Sequence, residues 1–189
     1  SILEVTGGYS FQDWSSEYPE ITADTLSTNQ FGYNNLAVAK SFIARNSIQE
    51  NRLISFYGRL NYSLKNKYIL TATLRRDGSS RFGPDSRWGT FPSVAVAWRA
   101  IDEVFLSSLS NIFTDLKLRV GYGITGNQEF ANYQYLPTYT IGDNFTRYQL
   151  GNTLVNTIRP NGYDSGLQWE QTASLNVGVD FGLLQGRLT

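Results

Sequence analysis

Residues 52–64 read RLISFYGRLNYSL and residues 68–77 read YILTATLRRD. In the first stretch Ile54, Phe56, Gly58, Leu60, Tyr62 and Leu64 fall on one face, and Ser55, Tyr57, Arg59, Asn61 and Ser63 on the other. In the second, Tyr68, Leu70, Ala72 and Leu74 oppose Ile69, Thr71, Thr73 and Arg75. A period of two marks a strand, because successive side chains point to opposite faces of a sheet. Lys65-Asn66-Lys67 leaves room only for a tight turn, so the two stretches predict a hairpin.

The alternation continues outward from this hairpin. Residues 88–99 set Val94, Val96 and Trp98 against Ser93, Ala95, Ala97 and Arg99, with Pro92 disturbing the ladder locally. Residues 115–124 set Leu116, Leu118, Val120, Tyr122 and Ile124 against Asp115, Lys117, Arg119, Gly121 and Gly123. The longest run covers residues 167–181, where Trp169, Gln171, Ala173, Leu175, Val177, Val179 and Phe181 oppose Glu170, Thr172, Ser174, Asn176, Gly178 and Asp180. A weaker strand is expected over residues 3–11 and a last one from Arg187, about seven in all. They approach the ~9–11 residues that cross a bilayer when tilted.

Consecutive antiparallel strands alternate direction, so their connections fall alternately at two ends. One end receives the short links at 65–67 and 182–186 together with 100–114. The other receives long loops near 12–51, 79–87 and 125–166. Short turns at one end and long loops at the other are the asymmetry of outer-membrane barrels, with the turns periplasmic and the loops extracellular. The predicted fold class is therefore all-β: an antiparallel transmembrane β-barrel segment, with residues 1–189 forming part of one barrel domain. Short helices are expected within 100–113, with Val104, Phe105, Leu106 and Leu109 as apolar face, and within 34–44.

Composition agrees. Hydrophobic residues make up 41% and charged residues 17% of the chain, with a mean hydropathy of −0.30. No run approaches the roughly 18 apolar residues that a membrane helix needs, whereas barrel strands expose only alternate side chains to lipid. Sixteen basic and sixteen acidic residues leave no electrostatic footprint for nucleic acid. The lack of Cys and His removes thiol chemistry, the usual zinc ligands and the commonest general base. No pair of carboxylates is spaced as acid and base, so neither an enzyme, a cofactor nor a metal is expected. The chain opens at Ser1 without a leader's charged and apolar regions, and its end falls in a strand-like stretch, so a mature or truncated chain is expected.

Several motifs have plainer readings. Gly121-Tyr122-Gly123-Ile124-Thr125-Gly126 spells a dinucleotide fingerprint, but the preceding strand alternates with Lys117 and Arg119 and no helix follows to receive a pyrophosphate. Asn61 and Asn144 begin chance glycosylation triplets. Asp13, Glu17 and Glu20 match no calcium loop and read as a solvated acidic segment. Trp14, Tyr18, Phe31, Tyr33, Tyr133, Tyr135, Tyr139, Phe145, Tyr148 and Tyr163 in the long loops could stack on sugar rings or peptides, of which Trp14, Tyr18, Tyr139, Phe145, Tyr148 and Tyr163 are candidate substrate or partner contacts. The plainer alternative is that they pack the loops together. Tyr68, Trp98, Tyr122, Trp169 and Phe181 fit aromatic girdles at the membrane interfaces.

Residues 73–99, TLRRDGSSRFGPDSRWGTFPSVAVAWR, resemble the signature of SusC/RagA-type TonB-dependent transporters. Arg75, Asp77, Gly78, Ser79, Ser80, Phe82 and Gly83 match its first part. Trp88, Gly89, Phe91, Pro92, Ser93, Ala97, Trp98 and Arg99 match the rest. Lys117, Arg119, Tyr122, Gly123, Thr125, Gly126, Asn127 and Gln128 are similar to the family's next block, which accounts for the false dinucleotide motif. The resemblance implies a barrel of about 22 strands with a plugged lumen, importing glycans or peptides. It implies a SusD-like surface lipoprotein as lid, outer-membrane lipid around the wall, and the TonB complex as power source. It places the chain in the outer membrane of a Gram-negative bacterium, as expected for Bacteroidota, with the plug domain and TonB box outside this sequence. Arg59, Arg75, Lys117, Arg119, Glu170 and Asp180 would then line a polar channel. Two alternatives stand beside this reading: a structural or secretion-associated barrel without import, and a soluble sugar-binding β-sandwich.

Overall fold

The computed structural model describes residues 1–28, 30, 32–143 and 145–183. Its main body is a single six-stranded antiparallel sheet. The strands are β1 (Ile2–Leu26), β2 (Ala39–Leu64), β3 (Tyr68–Ser79), β4 (Trp88–Arg99), β5 (Phe113–Asn127) and β10 (Glu170–Leu183), in the spatial order β1-β2-β3-β4-β5-β10. The 128–169 connection adds two small ribbons, β6 (Tyr139–Ile141) with β9 (Ile158–Pro160) and β7 (Arg147–Leu150) with β8 (Thr153–Asn156). Gly151 opens the two-residue turn of β7–β8 at φ 61°, a conformation that costs a residue with a Cβ.

The register converts the sequence alternation into two continuous surfaces. Leu3, Tyr62, Leu70, Val96, Val120 and Val177 form one row across all six strands. Val5, Leu60, Ala72, Val94, Tyr122 and Leu175 form the next. The opposite surface carries rows such as Glu4, Asn61, Thr71, Ala95, Gly121 and Asn176. Because pairing residues share a face, the apolar positions of six separately read strands merge into one band. That band is exposed, with Val177 reaching 73%.

An exposed apolar band does not favour the soluble β-sandwich reading, since a sandwich buries its apolar face against a second sheet. Among the described residues nothing packs on the band.

Four expectations about connections need correction. The long loop near 12–51 is mostly strand: β1 and β2 run on in unbroken register from Gln12↔Leu53 to Asp24↔Ser41, closing at Leu26↔Ala39. The cause is β-rich sequence on both arms, such as Ile21, Thr22, Phe42 and Ile43, which lacks clean alternation and so escaped a periodicity reading. Since β3 ends at Ser79, opposite Leu53, this ribbon projects beyond the sheet by about 45 Å at strand rise. The helix expected within 34–44 is two single 3-10 turns, Gly32–Asn34 and Leu36–Val38, after which β2 begins at Ala39. Asn35 caps the second, its side-chain oxygen accepting from the Ala37 N–H. Residues within 100–113 form 3-10 turns, Ala100–Asp102 and Val104–Asn111, in which Val104 and Phe105 are exposed. The loop near 125–166 likewise begins later, because β5 continues to Asn127. The turn and strand expected after Leu183 lie outside the described residues, as do Phe31 and Asn144.

Candidate functional site

The signature residues divide between the two ends of the sheet, and each end has its own chemistry. At the long-loop end, Phe82 is fully buried within a cluster of Leu53, Phe91, Leu167 and Trp169, with Ile124, Phe130 and Tyr135 packed against it. Ring centroids lie 5.1 Å apart for Phe82 and Trp169, 5.2 Å for Phe91 and Trp169, and 5.8 Å for Phe82 and Phe130, in tilted and edge arrangements that suit aromatic quadrupoles. The Trp169 indole N–H donates to the Arg87 carbonyl at 3.1 Å. Trp169 therefore belongs to this buried cluster and not to a membrane girdle: it precedes β10, where the chain has already turned onto the 80–87 loop.

Polar signature residues anchor the same loop. Arg75 Nε donates to both Asp77 oxygens, at 2.8 and 2.7 Å, and its Nη2 donates to the buried Ser55 hydroxyl at 3.1 Å. The Ser79 N–H donates to the Arg87 carbonyl at 3.0 Å, closing the base of the loop. Ser80 clasps Arg52 twice, its N–H donating to the Arg52 carbonyl at 3.0 Å and its hydroxyl accepting from the Arg52 N–H at 2.9 Å. Gly83 lies against Tyr135 and the Ser165 carbonyl. Gly126 is required for space, because a Cβ there would collide with the Phe91 ring, and Gly78 likewise lies under Trp88. Asn127 donates to Glu170 at 3.0 Å across β5 and β10. β4 pairs with β5 only as far as Ser93, next to Pro92, which has no N–H to give to a ladder. A depression of about 470 Å³ opens on the polar face below the cluster, bordered by Thr73, Arg75, Ser93, Thr125 and Gln128.

At the short-turn end, Trp98 and Arg99 serve a different anchor. Glu103 accepts from the Tyr68 hydroxyl at 2.7 Å, the Trp98 indole at 3.3 Å and the Lys67 ammonium at 3.4 Å. These donors, the Tyr68 hydroxyl first, hold the Glu103 carboxyl below its ordinary range. Arg99 pairs with Asp102 at 3.5 Å and Asp115 at 3.9 Å, and its N–H donates to the Lys67 carbonyl. Sequence reading missed Glu103, because nothing in its own neighbourhood announces partners on β3. Tyr122, by contrast, sits between Val94 and Leu175 inside the apolar band and not at its rim.

On the polar face, Asp180 pairs with both Lys117 at 3.1 Å and Arg119 at 2.9 Å, while Arg59 donates to Thr73 at 3.3 Å. Of the loop aromatics, Trp14 and Tyr18 stand exposed on the β1–β2 ribbon and Tyr139, Phe145, Tyr148 and Tyr163 on the 128–169 excursion. The structure brings together no pair of these as stacked rings. The two excursions do touch, where the Glu50 N–H donates to the Tyr133 hydroxyl at 3.0 Å and Asn132 to Gln49 at 3.4 Å. Within the larger excursion, Arg159 donates twice to Asp143, at 2.8 and 3.0 Å, and lowers its carboxyl pKa; sequence spacing gave no hint of this clasp either. Asp13 pairs with Arg52, and no group of acidic residues fit for a metal occurs among the described residues. Gly121 to Gly126 lie inside β5, so they form no phosphate loop.

A sheet that is apolar and exposed on one face, polar and internally paired on the other, with turns at one end and excursions at the other, is the wall of a membrane-spanning β-barrel. Comparison with known proteins specifies which kind. The family model described as "TonB dependent receptor-like, beta-barrel" matches residues 3–189. The TonB-dependent receptor SusC of Bacteroides thetaiotaomicron is 49% identical over 140 residues, covering 74% of this chain and 14% of SusC. A TonB-dependent receptor of Formosa agariphila is 35% identical over 193 residues, covering 97% of this chain and 17% of its own length. The solved RagAB peptide transporter superposes with a TM-score of 0.78 at 24% identity, over 98% of this chain and 20% of that one. The chain belongs to the β-barrel family of TonB-dependent receptors. It spans less than a fifth of the length of these two curated relatives.

Proposed function

We propose that the chain forms part of the barrel wall of an outer-membrane transporter that imports glycans or peptides, powered through the TonB complex and capped by a SusD-like surface lipoprotein. The two-faced sheet carries this reading. Its apolar band of Leu70, Val96, Val120 and Val177 suits hydrocarbon, and the opposite face, with Arg59, Arg75, Lys117, Arg119 and Asp180, suits a hydrated lumen. The excursions at 27–38 and 128–169, together with the β1–β2 ribbon, then rise on the extracellular side, where lid and substrate are met. Trp14, Tyr18, Tyr139, Phe145, Tyr148 and Tyr163 are the side chains proposed to meet them. The buried signature cluster holds the 80–87 loop at the mouth and is assigned a positioning role. Similarity to receptors and importers supports this reading over an enzymatic one.

The test is uptake by cells carrying the full-length protein, using fluorescent oligosaccharides and oligopeptides. Import of one class should fall to background when either the TonB complex or the lipoprotein is removed. Uptake that persists without both would defeat the proposal. A second test addresses the faces: Val177→Arg in the full-length barrel should cost about 2–4 kcal/mol of stability in a bilayer, and Asn176→Arg much less.

A further inference from the structure

We infer that the 100–112 turn is a membrane anchor, whose Val104 and Phe105 insert into the periplasmic leaflet of the outer membrane at the foot of the barrel wall. The inference rests on the barrel orientation proposed above. Tyr68 and Trp98 pair across β3 and β4, and both belong to the apolar face, in register with Leu64 and Leu118. Glu103 is bonded to both of their polar tips, so its carboxylate sits at the lower edge of that face and not toward the polar surface. Lys67 completes the grip from the neighbouring hairpin. The two residues that follow Glu103 are then held beside the band, and they are among the most exposed apolar side chains present, Val104 at 85% and Phe105 at 70%.

Continuity decides what covers them. The band above Trp98 is already assigned to hydrocarbon, and Tyr68 and Trp98 present the amphipathic rings that settle at a headgroup boundary. A Val-Phe pair beside that boundary meets acyl chains without any protein partner being required. Lys65-Asn66-Lys67 at the same end offers only polar residues and ends in the Lys67 that grips Glu103, and the link after Leu183 lies outside the described residues. Of the two turns at this end that lie within the described residues, the longer one has the composition to insert.

The experiment is site-directed spin labelling of the full-length protein in vesicles of phosphatidylethanolamine and phosphatidylglycerol. A nitroxide is placed through Phe105→Cys and, as references, through Val96→Cys in the band and Thr153→Cys in the outer excursion, with accessibility to oxygen and to a water-soluble nickel chelate compared. The expected result is a Phe105 label that resembles the Val96 label, with oxygen collisions several-fold above chelate collisions. A Phe105 label that resembles the Thr153 label, or one shielded from both reagents by protein, overturns the anchor while leaving the barrel intact. A Val96 label that itself reports water would instead bring down the barrel orientation.

Discussion

The two ends of the sheet are fastened by opposite physics. At the mouth, the 80–87 loop folds inward and builds the described structure's apolar core around Phe82, with ion pairing and clasped backbone beneath it. At the foot, among the described residues of the 100–112 turn, no side chain joins the apolar core cluster; one carboxylate gathers a phenol, an indole and an ammonium at the rim. The difference follows from what each end must exclude. On the barrel orientation proposed above, a loop over a hydrated lumen has no lipid to cover its apolar residues and must bury them against one another. A turn at the bilayer edge can leave them outward, so only its polar groups need partners.

This contrast can be broken. Phe82→Ala should have the largest effect, a loss of about 3–5 kcal/mol from emptying a close-packed site, read as a lowered denaturant midpoint of the folded full-length barrel. An effect under 1 kcal/mol would mean that the mouth is not a true core. Asp77→Ala comes next. It strips the buried carboxylate from Arg75, and because the arginine is half exposed and can reach water, the loss should be about 2 kcal/mol. Protease cleavage within 80–87 should rise in step, and an unchanged cleavage rate would detach the ion pair from the loop.

The foot should respond to pH through Glu103. Glu103 is held below its ordinary range in the folded state, so the unfolded chain binds its proton more readily. Its contribution is complete above the ordinary glutamate pKa and is lost as pH falls through the lowered folded value. Glu103→Gln should therefore show a smaller decline in unfolding midpoint between pH 7 and pH 3 than the parent protein, and parallel curves would dismiss the rim grip. The smallest effect belongs to Asp143→Asn, which should loosen the Arg159 clasp and speed proteolysis of the 128–169 excursion while leaving the global midpoint unchanged. A shift of that midpoint would show that the excursion is integral to the wall.

Much of the wall was legible in the sequence because a period of two survives any long-range arrangement. Arg75, Asp77, Phe82 and Gly83 were singled out by resemblance, which gave their importance without their partners. Ser55 and Leu53, which complete the mouth, look like ordinary members of an alternating strand until β3 is laid beside β2. Trp169 shows the limit most clearly: at the end of an apolar stripe it has the pattern of a girdle residue, and only the inward fold of the 80–87 loop tells it apart. The β1–β2 ribbon was lost for a different reason. Both its faces carry mixed residues, Trp14 and Tyr18 on one and Ile21 and Phe42 on the other, so no amphipathic period exists to be read.

That ribbon has a mechanical consequence. A two-stranded strip anchored at Gln12 and Leu53 and about 45 Å long is a lever with its fulcrum beside the signature loop. Arg52, clasped by Ser80, lies at the fulcrum, and Tyr133 braces the arm at Glu50. A rocking of about 5° there would sweep the far tip through about 4 Å at that arm length. Small rearrangements of the 80–87 loop would thus be geared up into displacements the size of a side chain at the far tip.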